Sequence, residues 1–302
     1  MSMSFLQTRT QDAPQGFGKP VLRLEDPRLL RGEGAFSDDF NLPNQAHAIV
    51  LRSPHAHAWI RRIVVDEAKR SPGVLAVLTG ADMQADGLQP IPHRPVPAHP
   101  HEIPLKNRDG SAIFVAPHWP LAIGKVRMAG EAVALVVAET IQLAKDAAEK
   151  IVIEYDPLPA STESREATKS GAAALWDEAV SNICVETGGI GDLAKTNAAF
   201  ASAKHVVALD TWVNRATGVP LEPRALAAYD DTTNRFTLYA GGGSNIRIRT
   251  DLAGVLAIPE AAIRVIAKDV GGNYGTRNNS YPEFALVVWA ATRVERPVKW
   301  VC

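Results

Sequence analysis

Arg264-Val-Ile-Ala-Lys-Asp-Val-Gly-Gly-Asn-Tyr-Gly-Thr-Arg-Asn-Asn-Ser-Tyr-Pro-Glu-Phe-Ala-Leu-Val-Val-Trp-Ala-Ala291 is the stretch on which the fold turns. Alternating apolar residues over 265–270 predict a strand, because side chains two apart share one face. Gly271, Gly272 and Gly275 predict a tight loop, and Pro282 suits the first turn of the apolar helix that follows. Strand, glycine loop and helix in that order can build an anion site. Glycines let the backbone approach closely, so that successive N–H groups converge on a phosphate or an oxo group. Tyr274 would stand in that loop as a flat wall. An ordinary glycine turn between two buried elements would use the same residues, so the loop alone does not decide function.

Upstream, residues 236–239 read as a strand that leads into Ala240-Gly-Gly-Gly-Ser-Asn245. A helix through Leu252, Val255 and Leu256 follows and is ended by Pro259. The three glycines are either a second place for close backbone approach or a flexible turn. Residues 206–213 alternate as a strand toward Arg215 and Pro220-Leu-Glu-Pro-Arg224. Glu222 and Arg224 share one face of an extended segment, where they either pair or brace a neighbouring loop; a salt bridge at a domain seam fits them as well as catalysis. Gly189-Ile-Gly-Asp-Leu-Ala194 formally matches a dinucleotide fingerprint. Asp192 would put a carboxylate where pyrophosphate has to sit, which favours a helix cap over residues 192–203.

Residues 47–160 mix the two periods. Strands are predicted at 48–52, 74–79, 132–138 and 151–155, with a short helix at 65–70 closed by Pro72 and Gly73. A second helix, capped by Thr140, shows an apolar face of Ala144, Ala147, Ala148 and Ile151. Residues 91–120 hold seven prolines with His93, His99, His101 and His118. His99 and His101 have chelating spacing, but the prolines hold the segment extended and no cysteine or carboxylate cluster completes a metal sphere, so a surface loop is expected. His55 and His57 alternate and should face opposite sides. Residues 23–40 read as a structured loop. Residues 156–182, with Pro157, Pro159 and a polar run, read as an interdomain linker with the boundary near 165. Residues 1–20 read as a flexible arm.

At 302 residues and 46% hydrophobic, the chain can bury a sizeable core and divides most naturally into two domains. A net charge of −1 gives no reason to expect nucleic acid or an acidic membrane surface as partner. No apolar run is long enough to span a bilayer, and the start lacks a basic-then-apolar leader, so a cytoplasmic protein is expected. Cys184 and Cys302 are the two cysteines. They exclude a disulfide framework and any cysteine-held iron–sulfur cluster within this chain.

Asp269-Val-Gly-Gly-Asn-Tyr-Gly-Thr-Arg277, Pro220-Leu-Glu-Pro-Arg224 and Arg52-Ser-Pro-His-Ala-His-Ala58 occur in an order that resembles the molybdopterin-binding large subunit of the xanthine dehydrogenase and aldehyde oxidase family. The branch grouped with the carbon monoxide dehydrogenase large subunit is most similar. The likeness spans residues 20–302 and implies an α+β chain: an α/β hammerhead domain over 21–165, then the first part of a molybdopterin-binding domain over 166–302. It also implies a molybdenum centre held by a pyranopterin, in bacteria usually as the cytosine dinucleotide, that oxidises an aldehyde, an N-heterocycle or carbon monoxide. Electrons then pass to an iron–sulfur small subunit and an FAD-binding medium subunit. By position, Gly271, Gly272, Tyr274 and Gly275 match the cofactor loop, with the Gly275 N–H directed at an oxo ligand.

Three departures from the family pattern stand out. Gly243 occupies the place of a glutamine that contacts the oxo group in many relatives. Asn278, on the substrate side, occupies the place of the glutamate of purine-oxidising relatives. The general-base glutamate lies in a second cofactor domain beyond the point where this chain stops, so no catalytic residue falls within it. The resemblance therefore implies a truncated product or one half of a split subunit that needs the C-terminal half as partner. The competing expectation is a non-catalytic scaffold or assembly protein of the same descent. A nicotinamide-dependent dehydrogenase, resting on residues 189–194 alone, ranks far below both.

Overall fold

The computed structural model describes residues 21–93, 105–187, 191–224, 226–230 and 235–302. The arm at 1–20, His99 and His101, and Gly189 lie outside them. The chain separates into residues 1–35 and 36–302, two compact units. In the first, the segment read as a structured loop contains a five-residue helix, α1 (Asp26–Leu30), with proline in its first turn.

The larger unit runs β1 (Ala46–Arg52), β2 (Ala58–Val64), α2 (Asp66–Lys69), β3 (Val74–Thr79), α3 (Gly80–Ala85), β4 (Lys125–Val126) and β5 (Ala132–Ala138). Next come α4 (Ile141–Ala148), β6 (Val152–Pro157), α5 (Ser164–Ala167), α6 (Leu193–Ser202), β7 (Leu226–Asp230) and β8 (Arg235–Tyr239). α7 (Asn245–Leu256), β9 (Ile263–Ile266), α8 (Pro282–Val294) and β10 (Val298–Lys299) complete it. One seven-stranded sheet has the order β3-β5-β1-β10-β7-β8-β9, and a three-stranded sheet the order β4-β2-β6. Most neighbours are antiparallel; β1 with β10 and β8 with β9 run parallel.

β5 shows why the first half folds as it does. All seven of its residues are buried, so it must be covered on both faces. Ala134, Val136 and Ala138 join Ala144, Ala147 and Ala148 of α4 in one core. Leu135 and Val137, pointing the other way, join the main core. Thr140 caps α4 by accepting the Leu143 N–H at 3.2 Å. The main core is built around α8, whose residues 283–291 are buried without a break. A helix apolar all round has to be enclosed. Leu286 and Phe284 pack in one cluster with Leu238 of β8, Leu252 of α7 and Val298 of β10.

β10 joins the two sequence halves. It lies between β1 and β7, pairing Val298 with Ala46 on one side and with Ala227 on the other. This strand is two residues long and interior to the sheet. Lys299, 7% exposed, is held by the Asp38 carboxylate at 2.7 Å and donates to the Asp38 carbonyl.

Other expectations are corrected. The strand over 265–270 spans Ile263–Ile266 instead: its neighbour β8 ends at Tyr239, opposite Ile266, so the ladder has no partner residue beyond that register. Residues 206–213 form no strand among the described residues, for want of a neighbouring strand to pair with. The segment expected as an interdomain linker, 156–182, is ordered in part, which that expectation allows. It contains α5 and is pinned by Lys125 Nζ donating to Asp177 at 2.8 Å, with Lys125 also 3.9 Å above the Trp59 ring. Arg127 lies 3.7 Å over the Trp176 ring and donates to the Leu175 carbonyl.

Candidate functional site

β8, α7 and β9 form a strand–helix–strand crossover with parallel strands, and the glycine loops leave from the same, carboxyl end of that pair. Ala240 N–H donates to the Ile266 carbonyl at 3.0 Å, bringing residues 241–244 beside residues 271–278. Carboxyl ends of parallel strands are where open α/β sheets bind ligands, because loops there diverge and leave a crevice.

Glu222 holds this end together. Its side chain is wholly buried and that of Arg277 is 3% exposed. Oε1 accepts the Ser37 N–H at 3.0 Å and the Ser37 hydroxyl at 2.7 Å. Oε2 accepts the Gly271 N–H at 2.8 Å and Arg277 Nη1 at 2.5 Å. The Arg277 guanidinium also donates to the Glu222 carbonyl, and Ser37 Oγ accepts the Gly241 N–H at 2.8 Å. One carboxylate thus ties a turn at residue 37, the triple-glycine loop and both limbs of the 271–278 loop. Four donors on a buried carboxylate meet the condition for burying a charge, which is pairing and full hydrogen bonding together.

The clamp bears on two of the glycines. A Cβ on Gly241 would stand 2.3 and 2.4 Å from the two Glu222 oxygens, and one on Gly271 would stand 2.4 Å from Glu222 Cβ. At these positions Glu222 occupies the space that a side chain would need.

Arg224 does not pair with Glu222. Its guanidinium lies 3.8 Å over the Tyr281 ring, and Tyr281 Oη donates to the Thr276 carbonyl at 2.6 Å. Of the two roles open to Glu222 and Arg224, bracing is the one realised, at opposite ends of the same loop. Arg224 Nη1 is buried without a partner among the described residues.

Within the loop, Asn273 Oδ1 accepts from the N–H groups of Gly275 and Arg277 at 3.1 and 3.2 Å. The Gly271 and Gly275 amides are therefore spent inside the protein, and the expected convergence of both on one anion does not form. Among the described residues, the N–H groups of Gly272 and Tyr274 have no acceptor. With its oxygen so engaged, the Asn273 carboxamide must present Nδ2 to Asn278 Oδ1, at 2.8 Å. That leaves Asn278 Nδ2 as an outward donor. Gly243 is where this pair rests: a Cβ there would lie 2.2 Å from Asn278 Oδ1 and 2.3 Å from Asn273 Nδ2.

Tyr274 adopts φ +54°, a left-handed conformation unusual for an aromatic residue, and is 75% exposed. A Cβ on Gly275 would meet nothing within 4 Å. The loop therefore turns a flat ring and a bare backbone edge to open space, over a buried base in which the Glu222 carboxylate is fully bonded while Arg277 Nε has no partner among the described residues. Ser37, Gly218, Asn273 and Arg277 complete the arrangement without having been singled out from the sequence. For Arg277 the available signal was a basic residue two positions past the last loop glycine; nothing local marked Ser37.

Among the described residues the histidines do not assemble a metal site. His93 Nε2 and His118 Nδ1 are 3.0 Å apart with stacked rings, and His57 Nδ1 meets the Pro159 carbonyl at 2.8 Å. Among the described residues no group of three or more His, Cys, Asp or Glu side chains could hold an ion. Asp192 caps α6 by accepting the Lys195 N–H at 3.0 Å, as a helix cap requires. No helix among the described residues is long and apolar enough to cross a membrane.

Residues 31–159 match the family model for the aldehyde oxidase and xanthine dehydrogenase a/b hammerhead domain, and residues 175–302 the model for the molybdopterin cofactor-binding domain. The chain is similar to 6-hydroxypseudooxynicotine dehydrogenase complex subunit gamma of Paenarthrobacter nicotinovorans, 35% identical over 94% of this chain and 34% of that subunit. It is also similar to the carbon monoxide dehydrogenase large chain of Hydrogenophaga pseudoflava, 31% identical over 92% of this chain and 34% of the relative. Among solved structures, quinoline 2-oxidoreductase from Pseudomonas putida 86 superposes with a TM-score of 0.80 at 35% identity, covering 93% of this chain and 34% of that one. The chain thus spans about a third of the length of these relatives. With a hammerhead region followed by a cofactor-binding region, it belongs to the xanthine dehydrogenase and aldehyde oxidase family of molybdopterin-binding large subunits.

Proposed function

We propose that this chain is a component of a molybdenum hydroxylase and presents one wall of a molybdopterin site that further polypeptide completes. The observation that carries the reading is the buried Glu222 clamp, which fixes a loop whose Tyr274–Gly275 edge faces open space. We assign residues 21–165 to the hammerhead domain and 166–302 to the first cofactor domain. Gly271, Gly272, Tyr274, Gly275 and Gly243 form the cofactor-facing surface, Asn278 lies on the substrate side, and Glu222 with Arg224 support the loop.

The residues fit the group they are assigned. The Gly272 and Tyr274 N–H groups are donors for an anionic or oxo function. The Tyr274 ring excludes water from one side. Gly275, with no Cβ, leaves room for close approach. Gly271 serves by anchoring the loop through its bond to Glu222. Asn278 Nδ2, oriented through Asn273, is positioned to donate to a substrate or cofactor oxygen. When bound, the pyranopterin-held molybdenum, in our reading as the cytosine dinucleotide, supplies the two-electron oxidation of an aldehyde, N-heterocycle or carbon monoxide class substrate. Relatives named as a complex subunit gamma, a large chain and a large subunit support a multi-subunit setting. We place iron–sulfur and FAD groups on partner subunits, the general base on the polypeptide bearing a second cofactor domain, and the assembly in the cytoplasm.

Co-expression with the sister genes of its locus, followed by elemental analysis and nucleotide release, tests this. Molybdenum and a cytosine nucleotide in near-equal amounts are expected. A well-folded complex lacking both would favour the scaffold reading, which draws on the internal engagement of the Gly271 and Gly275 amides.

A further inference from the structure

Residues 191–217 are exposed without exception, yet they include Leu193, Phe200, Val207, Leu209, Trp212 and Val213. α6 buries no residue at all. Trp212 is 82% exposed and Val213 94%. Beyond α6 the chain runs on with no ladder partner among the described residues. The run ends at Gly218, beside the candidate cofactor loop. A Cβ on Gly218 would stand 2.8 Å from Tyr274 Cβ, and its carbonyl accepts the Thr276 hydroxyl at 3.4 Å.

We propose that residues 204–217 are a docking strand, taken into a β-sheet of a polypeptide equivalent to the two thirds of the longer relatives that this chain does not span. Alternation puts Val207, Leu209, Thr211 and Val213 on one face and Val206, Ala208, Asp210 and Trp212 on the other, with Asp210 paired to Arg165 at 2.7 Å. A strand with large apolar residues on both faces belongs inside a layered sheet. Pairing with a second copy along one edge would leave apolar side chains in water. Unpaired backbone groups supply the affinity of strand addition, and the alternating side chains its register. The relatives contain the necessary extra polypeptide, since this chain covers 34% of the Paenarthrobacter subunit. Because the strand ends under Tyr274, a partner seated on it reaches the open side of the loop. The inference rests on the proposed function in naming that partner, but its test involves no molybdenum.

The probe is the part of the Paenarthrobacter subunit gamma lying outside the matched 287 residues, produced as a separate polypeptide and mixed with this chain. A one-to-one complex by light scattering is expected, with amide exchange across 204–217 slowed about tenfold or more. Leu209→Lys combined with Val213→Lys, both solvent-facing in the free chain, should weaken the complex about tenfold or more while the free chain melts within about 2 °C of wild type. No complex, or a complex in which these amides exchange unchanged, overturns the proposal. So does protection already present in this chain alone at dimer mass, which would identify a second copy as the occupant. Loss of molybdenum in the co-expression experiment with the docking result intact would overturn the cofactor reading only.

Discussion

Replacing Glu222 by alanine removes the acceptor of four hydrogen bonds and leaves the Arg277 guanidinium, whose side chain is 3% exposed, with the main-chain carbonyl of residue 222 but without its counter-charge. Breaking one side of a buried ion pair costs about 3–5 kcal/mol, because the remaining charge has neither counter-charge nor water. The Ser37 and Gly271 donors add orphaning penalties of about 1–3 kcal/mol each where water cannot reach them. Relaxation makes these terms less than additive, so a loss of at least about 3 kcal/mol is expected, a sizeable part of a typical domain's stability. Urea unfolding gives the magnitude. A companion variant, Glu222→Met with Arg277→Met, removes both charges and should recover most of the loss. Native-state exchange locates the effect: the Gly241 and Gly271 amides should lose protection more than amides in β5, since the clamp holds both loops. A Glu222→Ala protein within about 0.5 kcal/mol of wild type, or unchanged protection at those two amides, would refute the clamp.

Gly241→Ala should destabilise by about 1–3 kcal/mol, because the new Cβ would sit 2.3 Å from a bonded carboxylate oxygen. Gly275→Ala meets open space and should cost only the strain of φ +83°, about 1 kcal/mol, in the same urea titration. The His118 imidazole is held below its ordinary 6.5 by burial and then by His93, with Glu283 pulling it partly back. The native state then binds fewer protons than the unfolded one just below pH 6.5, so stability is lost as pH falls through that window. His118→Gln should reduce the drop in urea midpoint between about pH 7.5 and about pH 5.5. His47, lowered by burial and then by Lys299, retains a residual slope of the same sign; an unchanged drop would count against the assignment. Asp177→Asn removes the carboxylate that holds Lys125 and should speed limited proteolysis within residues 164–187, with cleavage sites read by mass spectrometry.

Local pattern was enough wherever an element's partners lie close in sequence or its residues admit one environment. Continuous apolarity over 132–138 demanded a strand covered on both faces, and Thr140 and Asp192 had one use each as caps. Proline at the start of an all-apolar run placed the first turn of α8. The glycine motif was legible as a loop, and in company with residues 220–224 and 52–58 as a family likeness. What the glycines are for was not legible. At Gly241 and Gly271 the side chain of residue 222 fills the space a Cβ would need, and its carboxylate is tied to a serine 185 positions away.

Distance along the chain decided the rest. Residues 206–213 alternate as any strand does, but alternation states only that a strand is possible; a ladder needs a second edge, and the described residues of 36–302 supply none there. The last residues, conversely, found two edges at once, because β1 and β7 leave a gap that Val298 and Lys299 fill. By itself the sequence determined elements such as β3, β5, β8, α4, α6 and α8, the caps at Thr140 and Asp192, and the family likeness. Only the tertiary structure decided that one buried ion pair carries the loop and that Tyr274 faces outward, because both depend on which distant groups share a desolvated volume, and no local pattern encodes that.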